Sequence, residues 1–416
     1  MREHRLTMNF AFTEDQIMIR DAAQSFLAEE SGSAAVRAAS ASEGGFDAAV
    51  WQRIGSELGW CSIPVAEQHG GLGLGAVELV LVLEQMGRQL LCAPYFSTVC
   101  LAANLLTQCG SEQAQRRFLP AIAEGRLCLT APLSSGVDDW SDAAVQVQAY
   151  RKGEVWTLSG HCPRVPDAGA ADWLLLFAQV EGERAPALFA VPREPAGLKV
   201  ETLAGWDATR RFSSISLDGV TLPAEDRIDD AARIEDGRVR AAALARLAIA
   251  AEQLGGAQQC LDLTVAYTAT RKQFGRAIAS FQAVKHRCAE MMVRIEATRS
   301  AVYGAAALAA GEELRVCHSE RSEESGQILR CAQNDNENNP SQFTRCSSLY
   351  LECAAARALA SDAYFYCAQE AIQLHGGVGF TWEYDPQLYF KRAQASSHWL
   401  GNADALRERI AQALIA

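Results

Sequence analysis

The spacing of apolar residues changes twice along the 416-residue chain, and this change constrains the fold more than any other feature. Between residues 8–125 apolar side chains recur at helical spacing, which returns over residues 238–416. Over residues 126–230 the period drops towards two, as at Val147 and Ala149, which predicts short strands. We therefore predict an α+β multidomain fold, in which an N-terminal all-α domain and a C-terminal four-helix bundle flank a small middle β-barrel.

Polar residues that can cap helices mark the start of three N-terminal helices. Thr13 followed by Gln16 fits a capping box, in which each side chain accepts a hydrogen bond from the backbone of the other. Asp47 and Ser111 each precede an apolar-periodic stretch, and both residue types favour the N-cap position. The sequence therefore predicts helices that begin directly after Thr13, Asp47 and Ser111.

Residues 314–346 interrupt the C-terminal helical pattern. They are polar, rich in asparagine and aperiodic, so they offer no apolar face for a bundle to bury. We predict a disordered insertion between two bundle helices, which is tolerated because closure entropy grows slowly with loop length. A dedicated binding loop is the alternative. Cys317, His318 and Cys331 are too few ligands for a closed zinc site, so no metal site is predicted.

Charge and composition argue against several classes of function. A net charge of −12 disfavours binding to nucleic acid or to an anionic membrane. No apolar run reaches the length of a membrane span. The 13 cysteines stand mostly singly within apolar helical stretches, which is typical of reduced thiols. We therefore expect a cytoplasmic protein.

Two segments carry residues suited to a phosphate-bearing ligand. In the first, Arg271 is followed by Phe274 and Gly275; a guanidinium suits two phosphate oxygens, and glycine lets the chain turn after a helix. In the second, Gly376 and Gly377 allow backbone N–H groups to approach such a ligand closely. Simpler interpretations are a basic helix end that complements the helix dipole, and an ordinary helix C-terminus.

Both segments resemble signatures of the acyl-CoA dehydrogenase family. From Arg271 to Gln282 the chain matches the pattern R-x-x-F-G-x-x-I-x-x-x-Q, and the glycines after Gln373 resemble the glycine turn of that family. The helix-to-turn passage at residues 59–73 resembles the N-terminal domain of the family. The resemblance covers nearly all of the chain outside the predicted insertion.

This resemblance implies FAD held at a subunit interface, in a homo- or hetero-tetramer. In the family the arginine meets the flavin pyrophosphate of a neighbouring subunit, and the phenylalanine packs beside the cofactor. A middle-domain passage that contacts the flavin is altered in this chain, although Thr130 is retained. The implied cofactor-binding residues are Arg271, Phe274, Gln282, Gln373, Gly376, Gly377 and Thr130.

The resemblance also implies a reaction, in which an acyl-CoA thioester is oxidised between its α and β carbons. A carboxylate removes the α-proton and the electrons pass to the flavin, then to an electron-transferring flavoprotein or a similar acceptor. The two positions at which family members carry that carboxylate hold Leu400 and Ala245, which are inert. Glu252 is the candidate replacement, because its helical neighbours are small and apolar and would desolvate it; a glutamate that packs or pairs structurally is the alternative. Asp404 and His398 are weaker candidates.

Three interpretations of function remain open at this stage. The chain could be an acyl-CoA dehydrogenase, alone or within a heteromer acting on bulky thioesters such as those of sterol side chains. It could instead be a flavin-supporting subunit without turnover of its own. A flavin monooxygenase or oxidase on the same fold, which needs no such carboxylate, is the third.

Overall fold

The N-terminal part of the protein is helical in the computed structural model, which describes residues 12–133, 140, 145–321 and 347–415. A π-helical segment (Phe96–Ala103) leads directly into the fifth helix. Thr13, Asp47 and Ser111 accept the predicted capping hydrogen bonds, and Thr13 and Gln16 form the predicted box. The helices are α1 (Glu14–Glu30), α2 (Ser33–Ala41), α3 (Ala48–Gln52), α4 (Ala76–Arg88), α5 (Asn104–Cys109) and α6 (Glu112–Ala123).

The middle part is a single seven-stranded sheet. Its order is β1-β4-β2-β3-β7-β6, with β5 paired to β4. Strand β4 pairs with β5 on one side and with both β1 and β2 on the other, and its inner side chains share one apolar core with β2, β3, β5 and β7. The sheet thus curls into a half-barrel, which the described pairings leave open. The strands are β1 (Leu129–Thr130), β2 (Val147–Lys152), β3 (Val155–Pro166), β4 (Trp173–Val180), β5 (Ala187–Pro192), β6 (Leu198–Leu203) and β7 (Phe212–Pro223).

The C-terminal part is a bundle of long helices, interrupted by a two-stranded ribbon after its first helix. The predicted α–β–α architecture is therefore confirmed. None of the helices described is both long and apolar enough to cross a bilayer. The elements are α7 (Ile234–Thr270), β8 (Lys272–Gln273), β9 (Arg276–Ala277), α8 (Gln282–Arg321), α9 (Ser348–His375), α10 (Pro386–Ser396) and α11 (Ala403–Ile415).

Helix α7 is the central element, because it packs against α4, α8 and α9. It crosses α4 at very close range, since a methyl group at Gly87 would overlap the Glu252 carbonyl and one at Gly255 would overlap the Glu84 carbonyl. Gly87 lies in the last turn of α4, which ends at Arg88, and permits this approach.

The predicted insertion at residues 314–346 lies mostly outside the described residues. Helix α8 extends to Arg321, so the first part of that range continues the helix rather than leaving it. The next described residue is Ser347, which caps the start of α9. Cys331 falls in the part that the structure does not describe.

Candidate functional site

The predicted cofactor residues of the C-terminal part lie on the surface. Arg271, Gln282, Gln373 and Gly376 are exposed, and so is Gly377. The Phe274 side chain is 91% exposed, which is unusual for a large apolar residue. These residues are therefore accessible to a ligand or to another subunit.

Local backbone geometry presents the first motif. Arg271 ends α7, and the β8–β9 ribbon turns at Phe274 and Gly275, both of which have positive φ angles (53° and 78°). The Ile278 amide donates to the Arg271 carbonyl at 2.8 Å, which closes the loop. Within the described part of the chain, the Arg271 guanidinium takes part in no ion pair, so it is available to an anion.

Stacked rings connect the first motif to the glycine turn. Tyr267, in the last turn of α7, stacks on His375 at the end of α9, with ring centroids 4.3 Å apart and planes 19° apart. Tyr384 meets both rings edge-on. The Nδ1 of His375 donates to the Ala371 carbonyl at 2.6 Å, and burial lowers the pKa of His375, which favours its neutral form. The fold thus brings together two motifs that lie about 100 residues apart in the sequence.

The surface at these two motifs fits a flavin dinucleotide. A Cβ built on Gly376 or Gly377 meets nothing within 4 Å, so the turn borders open space, and Gly376 has a positive φ of 64°. An exposed guanidinium and exposed backbone suit a pyrophosphate, and the exposed ring of Phe274 offers an apolar face to a flat ring system. Arg271, Phe274, Gln373, Gly376 and Gly377 are the residues that would hold it.

Thr130 lies in the interior rather than on this face. Its hydroxyl is fully buried and donates to the Pro166 carbonyl at 2.6 Å. The next residue, Asp167, accepts a hydrogen bond from Ser97 at 2.7 Å and has a positive φ of 51°. Burial raises the pKa of Asp167, which the nearby Arg210 and Arg392 oppose. Thr130 and the surface motifs are therefore separate within one chain.

Glu252 is buried beside small apolar helix neighbours, as predicted, but it also has a charged partner that the sequence did not reveal. Its carboxylate faces Arg210 in a two-bond ion pair, with N–O distances of 2.8 and 3.0 Å. Both side chains are nearly fully buried, at 9% and 3% exposure. The guanidinium also lies over the rings of Phe96 and Trp399. A carboxylate bound through both oxygens is suited to structural pairing, and its role as a base remains a prediction.

The two usual base positions are enclosed and apolar. Leu400 and Ala245 have no exposed surface. Leu400 has a positive φ of 53°, and its carbonyl accepts a hydrogen bond from the Nε of Arg246 at 2.9 Å. Neither the Leu400 nor the Ala245 side chain can accept a proton. Among the weaker candidates, Asp404 lies in the first turn of α11 and forms a pair with Arg407.

Further buried charges surround this interior region, and no local sequence pattern marked them. Arg392 pairs with Asp207 at 2.6 Å and donates to Thr209 at 2.5 Å. Each of these pairs joins residues far apart in the sequence, so spacing alone cannot reveal it. In the described residues, no three His, Cys, Asp or Glu side chains are grouped so as to hold a metal ion.

An apolar cavity of about 80 Å³ lies between α4, the segment from residue 96 to 109, and α7. It borders the helix that carries Ala245, and its lining is mostly apolar. The side chains that line it include Leu79, Val80, Val99, Ala103, Leu244 and Ala248.

Comparison with known proteins agrees with these features. The family model for the acyl-CoA dehydrogenase N-terminal domain matches residues 13–126, and that for the C-terminal domain matches residues 239–321 and 329–415. Acyl-CoA dehydrogenase IpdE2 of Mycobacterium tuberculosis is 29% identical, over 95% of this chain and 96% of its own. Probable acyl-CoA dehydrogenase YngJ of Bacillus subtilis is 27% identical, over 98% and 100%.

A solved structure shows the same similarity in three dimensions. A chain of the ChsE4-ChsE5 complex from Mycobacterium tuberculosis matches with a TM-score of 0.80 and 26% identity, over 98% of this chain and 99% of that one. Both domain models, the relatives and the fold agree with the resemblance carried by the Arg271 and Gly376 motifs. The chain belongs to the acyl-CoA dehydrogenase family of oxidoreductases.

Proposed function

We propose that this chain takes part in the FAD-dependent oxidation of an acyl-CoA thioester to the α,β-unsaturated acyl-CoA, as one subunit of a heteromer. The observation that carries the proposal is the open face on which Arg271, Phe274 and the glycine turn meet. When bound, the flavin accepts the electrons that leave the acyl chain. Arg271 would neutralise its pyrophosphate, and Phe274 would cover part of its ring system.

The apolar cavity beside α7 is the proposed site of the acyl chain. Its lining side chains, such as Val99, Leu244 and Ala248, would exclude water from the hydrocarbon and form no polar contacts with it. Electrons would leave through an electron-transferring flavoprotein or a similar acceptor.

The heteromer is proposed because this chain has no carboxylate at either usual base position. Leu400 and Ala245 cannot accept the α-proton, and Glu252 is held by Arg210. A second chain of the same fold with a carboxylate at the position of Leu400 would supply a complete site. The similar chain comes from a complex of two differently named proteins, ChsE4 and ChsE5, which supports such a pairing.

The decisive experiment is purification of the chain alone and together with a co-expressed homologue that carries a carboxylate at the position of Leu400. Each sample is titrated with a panel of acyl-CoA thioesters, from short straight chains to sterol side chains, while the oxidised flavin band is recorded. Bleaching of that band in the joint sample by one thioester class is the expected result. If neither sample takes up added FAD, the proposal is wrong.

A flavin-supporting subunit without turnover is the second candidate, and the enclosed Leu400 and Ala245 favour it. Turnover by the lone chain would eliminate this candidate. Oxygen consumption without any added acceptor would instead favour an oxidase or monooxygenase.

A further inference from the structure

Three aromatic side chains form a cluster beneath the open face. Tyr267 and His375 stack face to face, and Tyr384 meets Tyr267 at 6.0 Å and 87° and His375 at 6.2 Å and 68°. The rings come from three separate places in the chain: the end of α7, the end of α9 and the loop after the glycine turn. Aromatic contacts of this geometry are favourable beyond the area they bury.

Each ring is tied directly to one segment of the proposed flavin site. The Tyr267 carbonyl accepts the hydrogen bond of the Arg271 amide at 2.9 Å. His375 immediately precedes Gly376, and the hydrogen bond from its Nδ1 to Ala371 fixes the plane of its ring. The cluster therefore transmits the position of one segment to the other.

The third ring is itself anchored to the N-terminal helices. Arg37 of α2 donates to the Tyr384 carbonyl at 3.2 Å and pairs with Asp385 at 2.7 Å. Because these contacts hold Tyr384 against α2, the stacked rings of Tyr267 and His375 pack against a fixed residue rather than a free loop. By contrast, Phe274 and Phe380 are 91% and 71% exposed and receive little support from the rest of the chain.

We propose that Tyr267 and His375 are positioning residues, whose stack sets the distance between the Arg271 segment and the Gly376 turn so that both reach one dinucleotide. This inference rests on the proposed function. The rings need not touch the cofactor; they act by holding two contact segments in register. Loss of the stack should weaken FAD binding while leaving the helical bundle folded.

The test compares Tyr267→Leu with Tyr267→Phe in the full chain, purified with its co-expressed partner. Leucine keeps apolar bulk but removes the stacked ring, whereas phenylalanine keeps the ring. We expect Tyr267→Leu to raise the FAD dissociation constant about tenfold or more and Tyr267→Phe to leave it within about twofold, as measured by fluorescence titration. The thermal midpoint of both variants should stay near that of the wild type.

Hydrogen–deuterium exchange gives a second readout that does not depend on FAD. Without cofactor, exchange in residues 271–281 and 376–384 should accelerate together in Tyr267→Leu but not in Tyr267→Phe. Equal FAD affinity and equal exchange in the two variants would overturn the positioning role. If the wild type binds no FAD, the proposed function fails, and the exchange experiment still decides whether the stack couples the segments.

Discussion

At the scale of single residues, Arg271 is the most direct test of the flavin site. Its guanidinium is exposed at the end of α7, beside the glycine turn. We expect Arg271→Ala to weaken FAD binding by about 10- to 100-fold, because charge-assisted hydrogen bonds to phosphate are each worth about 1.5–3 kcal/mol. The measurement is a fluorescence titration with FAD.

The matched control for Arg271→Ala is Lys199→Ala on β6. Lys199 is also an exposed cation, and it pairs only with the exposed Glu201. Its removal should leave FAD affinity unchanged, which separates a specific contact from a general loss of positive charge. Full flavin content in Arg271→Ala would contradict the assignment.

Glu252 decides between a structural and a chemical role. Arg210 and Glu252 are both buried, so Glu252→Gln leaves a guanidinium without its counter-charge, and we expect stability to fall by roughly 3 kcal/mol. Urea unfolding measures this, with Glu201→Gln as the exposed-pair control, for which little change is expected. An unchanged unfolding midpoint with turnover lost would instead support Glu252 as the base.

Asp167 should make stability depend on pH. Burial raises its pKa above the ordinary 3.8, although Arg210 and Arg392 oppose this and Ser97 donates to it. The folded state therefore keeps the Asp167 proton to higher pH than the unfolded state, so its contribution to stability falls as pH rises above about 4. We compare the free energy of unfolding of Asp167→Asn with that of the wild type, in urea, at both pH values. The difference should favour Asp167→Asn more at pH 8 than at pH 4. A pH-independent difference would contradict this.

At the scale of elements, the crossing of α4 and α7 depends on two glycines. Gly255→Ala should cost about 3 kcal/mol or more, because its methyl group would overlap the Glu84 carbonyl and push the helices apart. Gly304→Ala, within α8, is the matched control: its methyl group meets nothing within 4 Å, so we expect a gain of about 0.5–1 kcal/mol from helix propensity. Similar unfolding midpoints for the two variants would argue against the close crossing.

Elements could be predicted from the sequence where their signals are local. The cap at Thr13 and the alternation at Val147 depend on neighbours a few residues away, and both were confirmed. The role of Gly87 could not be predicted, because α7, which approaches it, lies far along the chain. The partner of Glu252 was missed for the same reason, since Arg210 comes from the loop before β7. The family motifs identified Arg271 and Gly376 from the sequence alone. Contacts between side chains of different domains, by contrast, could not be predicted without the fold.

At the scale of the whole molecule, the described residues leave one apolar stripe at the start of α8 only partly covered. Phe281, Val284 and Cys288 recur at helical spacing and are only half-buried, and Met292 is 57% exposed. A sequence stripe of this kind normally faces a core. The stripe follows directly after the Arg271 motif in the chain. We therefore expect another subunit to cover it, in agreement with the proposed heteromer.

The last prediction asks whether assembly and cofactor binding are one event. Met292 lies ten residues beyond Gln282 on α8, outside the proposed contacts to FAD. Met292→Glu should therefore act only through the interface, by burying a charge against an apolar partner surface. We expect analytical ultracentrifugation of the co-expressed sample to show dissociation and the released chain to lose its FAD. Tyr150→Glu, an equally exposed position on β2 (54%), should keep both. If Met292→Glu dissociates but retains FAD, one chain suffices to hold the flavin, and the residues that complete its site must be sought around Thr130 rather than in a partner.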